Sequence, residues 1–380
     1  MSRRLLNEDM DIIVAGGGLV GLSTAATLRT IGHQVTVLEQ ADEIRAAGAG
    51  IGLWDNALHE FDHIGIGQDV RALGEEINAW FFDAAGHSHR APGTAERDYR
   101  FLLVPRAPLN TLLADAIGRE HITLDARATG FTETDDGVTA HLADGRSLRA
   151  DLLIGADGVH SRIRTQLLPG SEATAHTGHV AWRAIVPSGG ERPEGTVLTV
   201  GRDRTRGGYS RVGAGQTMWM VNQFEAGPLV GSKRDRALYR ARNLTEGGWQ
   251  DELLTMIAST PEDAILENQI MLVPALPQWS SAHVTLIGDA AHALSPHLSA
   301  GGTLGIEDAT VLRAALAAEP SLDTALTSYE QARMPRFAQV REFAAQVENA
   351  AGPAEFAQCY AAFSQWMLAT APEPNASPDV

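Results

Sequence analysis

Two kinds of residue in this chain are placed to do chemistry: glycines bunched at strand ends, and carboxylates that follow buried apolar runs. In "MDIIVAGGGLVGLSTAATLRTIGHQVTVLEQ", Gly16, Gly18 and Gly21 keep the spacing G-x-G-x-x-G, with Leu19 and Val20 inside it. The first glycine permits a tight turn, the second lets a pyrophosphate approach the backbone, and the third lets helix and strand pack closely. A helix that starts there aims free amides and the positive end of its dipole at phosphate. Glu39, followed by Gln40, ends the next apolar run about 20 residues on, where a carboxylate accepts hydrogen bonds from ribose hydroxyls. Together these features predict a dinucleotide site.

Two further segments place carboxylates in the same way. "DLLIGADGVHSRIR" brings Asp157 and Gly158 to the end of an apolar run, with Ser161 and Arg164 on the first turns of an expected helix. "VTLIGDAAHALSPHLSAGGTLGIEDA" puts Asp289 where a strand becomes a loop, then Pro296, then Gly301 and Gly302 ahead of a helical pattern. Taken singly, each Asp reads as a turn or a helix N-cap. In an open parallel sheet, however, ligands sit beyond the carboxyl ends of the strands, so both can face one ligand.

The elements that must hold these residues are legible as patterns. "MDIIVAG" and its successors read as buried parallel strands, and Asp144-Gly145 marks a hairpin before Asp151. From 177 to 225 the runs "GHVAWRAIVP", "GTVLTVG", "RGGYSRVG" and "QTMWMVNQF" alternate, which predicts an antiparallel sheet. "INAWFFDAAGHSHR" and "YRFLLVP" are expected to join it. Trp182, Tyr209, Met218 and Met220 are candidates to line a pocket beneath that sheet, against the plainer reading of sheet core. Arg202, Arg204, Arg206 and Arg211 read either as a solvated edge or as holders of an anionic group. After Ser321 the chain is helical, with a break or kink expected at Met334-Pro335. A last helix buries Phe356, Tyr360, Phe363 and Met367, and 371–380 reads as a disordered tail.

Bulk properties narrow the class. At 380 residues the chain exceeds the size at which one core keeps growing, so two domains or one elaborated domain are expected. A net charge of −17 argues against nucleic acid and against an anionic membrane surface. Cys359 is the single cysteine, which excludes a disulfide framework and a cysteine-based metal cluster, and no metal site is expected. The N-terminal apolar run is too short for a signal peptide, and no segment is a membrane span. The expectation is a soluble, cytoplasmic protein, monomeric or homodimeric.

The trio "GGGLVG…E", "GADGVHSRIR" and "GDAAHALSP" resembles the three fingerprints of the single-component flavoprotein aromatic hydroxylases. These are class A FAD monooxygenases of the p-hydroxybenzoate hydroxylase fold, and they include salicylate, 3-hydroxybenzoate and urate hydroxylases. The resemblance runs from about Asp11 to about Arg341. It implies an α/β, Rossmann-like FAD-binding domain (1–75, 105–175, 270–345) with an inserted antiparallel β-sheet substrate domain (76–104, 176–269) and a C-terminal helix (346–370). It implies that Gly16, Gly18, Gly21 and Glu39 hold the ADP half of FAD, and that Asp289 binds the ribityl chain. Pro296 and the loop through Ala300, Gly301 and Gly302 would lie against the isoalloxazine. Asp157, Gly158, Ser161 and Arg164 would sit near the pyrophosphate. Arg106, in "VPRAPLNTLLADA", would reach the phosphate and ribityl region, and a cation at a helix start is otherwise disfavoured. Arg206 matches a substrate-contacting arginine of urate hydroxylases.

The implied reaction takes electrons from NADH or NADPH and O2, forms a flavin hydroperoxide, and hydroxylates an electron-rich aromatic small molecule. A general base is useful for a phenolic substrate, with His297 and Tyr209 as candidates and His292 a weaker one. The chain departs from the family at Ser299, Ala300 and Thr303, where most members have Gly, Gln and Asn. Thr303 is expected to supply an N-cap hydroxyl, and Glu307-Asp308 to be structural carboxylates in the first turns of a helix. Alternatives are a tailoring oxygenase of polycyclic natural products, a flavin reductase, a halogenase and a non-catalytic flavin binder. No W-x-W-x-I-P segment is present for halogenation; "MWMVNQ" is the nearest.

Overall fold

Five parallel strands carry the glycine turn and both aspartate segments. Their spatial order is Val284–Leu286, Leu152–Gly155, Asp11–Ala15, Gln34–Leu38 and Ile122–Thr123. Apolar runs such as Ile12, Ile13 and Val14 are buried, as strands covered on both faces require. Because all five point the same way, Gly16, Glu39, Asp157 and Asp289 follow strands that end on one edge of the sheet. The computed structural model describes residues 9–44, 49–191, 196–224 and 227–371, apart from the side chains of Glu96 and Arg97. The expected tail therefore lies, but for Ala371, outside the described residues.

A second, seven-stranded sheet runs in the order Leu266–Leu272, Thr174–Pro187, Gln216–Gln223, Arg206–Gly213, Thr196–Val200, Phe81–Phe82, Ser88–His89. Its pairings are antiparallel except that between Thr196–Val200 and Phe81–Phe82. The helices Lys233–Ala241 and Asp251–Ser259 contribute to a core on its outer face, where Trp182, Ala184, Tyr209, Trp219 and Val221 are buried. The segment "YRFLLVP" does not join this sheet as expected. Arg100–Pro105 pairs instead with Gly50–Leu53 and Glu75–Asn78 in a separate three-stranded sheet. The hairpin around Asp144-Gly145 forms as expected, with Gly145 at φ 88.

Helices close the other side of the parallel sheet. Of the break or kink expected at Met334-Pro335, the break is not seen: one helix runs Leu322–Asn349 through it. Proline removes a single backbone hydrogen bond there, and ion pairs on either side hold the turns in place. Arg333 reaches Glu307 at 2.8 Å, Asp308 at 2.7 Å and the Leu304 carbonyl at 2.9 Å, while Arg336 binds both oxygens of Glu307 at 2.8 Å. Glu307 and Asp308 lie beyond the first turn of the helix Gly301–Ala318, so they are partners in this buried cluster rather than dipole-stabilising residues. The last helix, Pro353–Ala369, buries Phe356, Tyr360, Phe363 and Met367 against Trp54, Phe81 and Tyr99. Full burial of such side chains stabilises by roughly 1.5–3 kcal/mol each. No helix among the described residues is long and apolar enough to cross a membrane.

Candidate functional site

The three glycine and aspartate segments meet around the start of the helix Leu19–Arg29. A Cβ on Gly16 would stand 2.3 Å from the Ala156 carbonyl oxygen, and one on Gly21 would stand 1.9 Å from the Gly16 oxygen. Gly16 also has φ 119, so glycine is required there by conformation and by space. On the other side, a Cβ on Gly288 would meet Val20 at 2.9 Å and one on Gly305 would meet it at 2.4 Å. Val20 is thus clamped between the Asp289 turn and the Gly301–Ala318 helix.

Gly18 behaves differently. A Cβ there meets nothing within 4 Å, and the same holds at Gly301. Both positions are exposed, and both lie on one cavity of about 430 Å3. Each stands at the start of a helix with no side-chain cap, so backbone amides are left facing the space. Of the residues expected to hold a cofactor, Leu19, Val20, Arg106, Gly158, Asp289, Pro296, Ala300 and Gly302 also border this cavity. Gly16, Gly21, Glu39, Gln40, Asp157 and Thr303 do not; they shape what does, or lie beside it. The Glu39 carboxylate accepts from the Gly17 and Ala41 amides at 2.8 Å each, which fixes the glycine turn to the second strand. Asp157 accepts from the Arg162 amide at 2.7 Å with one oxygen, while Oδ1 is buried without a hydrogen bond. Arg164 is a buried latch, donating to the carbonyls of Val159, Ser171 and Ala290.

Arg106 opens the helix Arg106–Ile117 and faces the carboxylate of Asp289. Burial pulls its guanidinium below the ordinary value, and Asp289 opposes that pull. Thr303 is not an N-cap; Ala300 holds that position, and the Thr303 hydroxyl accepts from the Trp54 amide at 3.0 Å. The Trp54 indole donates to the Ser299 carbonyl at 3.2 Å. Ser299 is held at φ 51, a left-handed conformation that glycine would adopt at less cost.

The roof of the cavity is the seven-stranded sheet. Ala181, Arg183, Ser210, Met218, Met220 and Asn222 sit at alternate positions of three adjacent strands and border it. Trp182 borders it as well, but its indole packs in the outer core and donates to Glu267. Tyr209 is fully buried in that outer core and does not line the cavity. Strand periodicity explains both, since neighbours of inward residues point outward.

Arg206 is also absent from the lining. Its guanidinium donates to the carbonyls of Val347 and Glu348 at the end of the Leu322–Asn349 helix, between the rings of Phe224 and Phe356. Burial lowers its pKa to about 10. His297 is buried, with Nε2 3.1 Å from Nε2 of His179, and it does not line the cavity either. Burial first, then the nearby Arg206, pushes its pKa well down, so it stays neutral. His292 does border the cavity; its Nε2 lies 2.6 Å from Asp308 and its ring stacks on Phe337.

Three contributors escaped sequence reasoning. Arg183 places a cation in the roof, and the alternation of "HVAWRAIVP" around Trp182 was the signal for it. Trp54 fastens the Ser299–Thr303 loop, and Arg333 ties the helix that carries Gly301. Those two depend on contacts across 249 and 26 positions, which no local pattern reveals.

Residues 9–344 match the FAD binding domain family. The chain belongs to this family. Among curated relatives of this FAD-binding chain, the aurachin C monooxygenase/isomerase of Stigmatella aurantiaca is 31% identical, covering 87% of each chain. The 6-hydroxynicotinate 3-monooxygenase of Bordetella bronchiseptica is 31% identical, covering 79% of this chain and 81% of its own. The FAD-dependent urate hydroxylase of Klebsiella pneumoniae is 30% identical over 86% of each. The crystal structure of Klebsiella pneumoniae HpxO complexed with FAD and uric acid superposes with a TM-score of 0.78, at 26% identity, over 94% of this chain and 92% of that one. The FAD-binding fold is therefore the Rossmann-like, p-hydroxybenzoate hydroxylase type. The residues present suit the cofactor: room beside Gly18, uncapped amides at both helix starts, and Asp289 with Arg106 between them.

Proposed function

We propose that this FAD-dependent monooxygenase takes electrons from NADH or NADPH and, with O2, hydroxylates a small electron-rich phenolic or heteroaromatic ring in the cytoplasm. The observation that supports this reading is one continuous cavity that touches Gly18, Asp289 and Gly301 and is roofed by Met218, Met220 and Asn222. Cofactor and substrate would thus share a single chamber, as ring hydroxylation needs.

FAD when bound supplies the redox chemistry. The protein supplies position, field and exclusion. Amides at Gly18 and the following helix turn would hold the pyrophosphate, with Glu39 on the ribose and Asp289 on the ribityl hydroxyls. The uncapped amides at Gly301 and Gly302 would offer positive potential to negative charge on a reduced cofactor held beside them. Met218 and Met220 give the roof an apolar centre that would help keep water from that side. Arg183 offers a fixed cation to an anionic oxygen of the substrate, and its Nη2 donates to Asn268 at 3.0 Å, which orients it. Neither His297 nor Tyr209 reaches the chamber, so deprotonation of a phenol would rely on this cationic field rather than on either of them.

The test uses the purified, flavin-loaded chain with NADH and NADPH, with and without hydroxybenzoates, hydroxypyridines and purines. Substrate-stimulated oxidation with little peroxide is the expected result. Oxidation unaffected by every aromatic, with full peroxide yield, would defeat the proposal.

A further inference from the structure

Outside the chamber, the strand Thr174–Pro187 contains an irregularity that gathers metal-ligating groups. Its register against Leu266–Leu272 shifts between Ala175 and Val180, and Gly178 within that stretch has φ 67. The Gln269 side chain pins the stretch by donating to the carbonyls of His176 at 2.7 Å and His179 at 2.9 Å. In a regular strand residues three apart face opposite sides. Here His176 and His179 both turn toward Glu348, on the last turn of the helix Leu322–Asn349. His176 Nε2 contacts Glu348 Oε1, and His179 Nδ1 lies 3.7 Å from the same oxygen. One ligand atom from each of the three residues falls within 4.8 Å of the others.

We propose that His176, His179 and Glu348, none of which lines the chamber, form a binding site for a divalent transition-metal ion of the zinc type next to it, with Ser295 on the wall between them. Two imidazoles and a carboxylate are a donor set suited to such ions. In a tetrahedral site with bonds of about 2.0–2.2 Å, ligand atoms stand about 3.3–3.5 Å apart. The His179–Glu348 separation of 3.7 Å is close to that already, the His176–Glu348 contact has to open, and the two imidazole nitrogens, within 4.8 Å of each other, have to settle at the same spacing. The decisive atom is His179 Nδ1, which is buried, has no hydrogen bond and is aimed at the cluster. Its other nitrogen faces His297 Nε2 at 3.1 Å, and that contact needs one proton. When His179 supplies the proton, Nδ1 presents a bare lone pair, the tautomer a metal requires.

The remaining coordination position has Ser295 nearby, whose hydroxyl is 3.4 Å from Glu348 Oε2. His176 and Glu348 are partly exposed, which gives an ion a way in. Arg204 and Arg206, both bonded to the Glu348 carbonyl, oppose added positive charge, so the ion should exchange rather than stay permanently.

The test is carried out on the flavin-loaded full chain, stripped with EDTA, desalted and titrated with zinc chloride against a chromogenic chelator. The wild type should bind one zinc per chain. His176→Ala and Glu348→Gln should each weaken binding at least about 100-fold, and His297→Gln about 10–100-fold through loss of orientation. Flavin absorbance and far-UV circular dichroism verify that each variant is folded. Zinc should raise the melting temperature of the wild type but not of H176A. No zinc taken up by the wild type, or equal uptake by wild type and both ligand variants, overturns the site and leaves a plain His176–Glu348 ion pair. Neither result depends on turnover, so the outcome is independent of the proposed reaction.

Discussion

Gly18 and Gly21 stand three positions apart and have opposite surroundings. Gly18→Ala adds a methyl to open space at an ordinary φ of −78, so folding should survive while FAD affinity falls about 10-fold or more through collision with the pyrophosphate. Flavin retention on desalting, beside an unchanged circular dichroism spectrum, checks this. Gly21→Ala drives a methyl to 1.9 Å from a backbone oxygen and should yield little folded protein. Ser299 makes the reverse case, because its left-handed backbone is costly for any residue with a side chain. Ser299→Gly should stabilise by up to about 1 kcal/mol, read as a higher urea midpoint at unchanged slope. In the roof, Arg183→Gln should raise KM for carboxylated or phenolate substrates about 10-fold or more and leave FAD binding intact. Equal KM values would remove Arg183 from substrate recognition.

The helix Gly301–Ala318 depends on its ties to Leu322–Asn349 for the position of its first amides. Burial alone would push the Glu307 and Asp308 carboxyls up, but Arg333 and Arg336 around one, and His292 and Arg333 around the other, hold both below their ordinary range. The unfolded chain therefore takes up these protons first as pH falls. The stabilisation is complete above the unfolded values of 4.5 and 3.8 and is lost as acid titrates the folded pair. Arg333→Met should cost about 3–5 kcal/mol at neutral pH, because it leaves buried charge without its partner. Chemical denaturation at pH 7 and at pH 4 should show the gap narrowing in acid; a gap that is constant with pH would contradict the cluster's role. This cluster marks where sequence reading ran out. The strand–glycine–helix unit was legible because its signals are contiguous: apolar run, glycine spacing, carboxylate. Glu307 and Asp308 were legible as structural carboxylates, but their partners lie on another helix and were not, and a break remained open at Pro335 because the anchors on both sides of it were invisible.

Across the whole molecule, cofactor and fold are linked. Binding that favours only the native chain adds about 2.7 kcal/mol at a free FAD concentration 100 times Kd, so removing FAD should lower the melting temperature by several degrees. An apoprotein that melts with the holoprotein would mean the Gly18 and Asp289 edges hold nothing. The glycine and aspartate edge of the chamber was foreseeable for the same reason as the parallel sheet, since Gly18, Gly158 and Asp289 each follow a strand end. The substrate side was foreseeable only in outline. Met218 and Met220 face inward as expected, whereas Tyr209 and the Trp182 indole belong to the opposite layer, Arg206 is committed to the end of the long helix, and His297 is committed to His179. Those outcomes depend on strand parity and on packing partners more than 80 positions away. The two-faced sheet carries a consequence for how such a protein diversifies. Side chains at 183, 210, 218, 220 and 222 can be exchanged without reaching the tryptophan layer behind them. A lineage inheriting this scaffold is free to reshape the roof by point substitution while the glycine and aspartate edge opposite stays as it was.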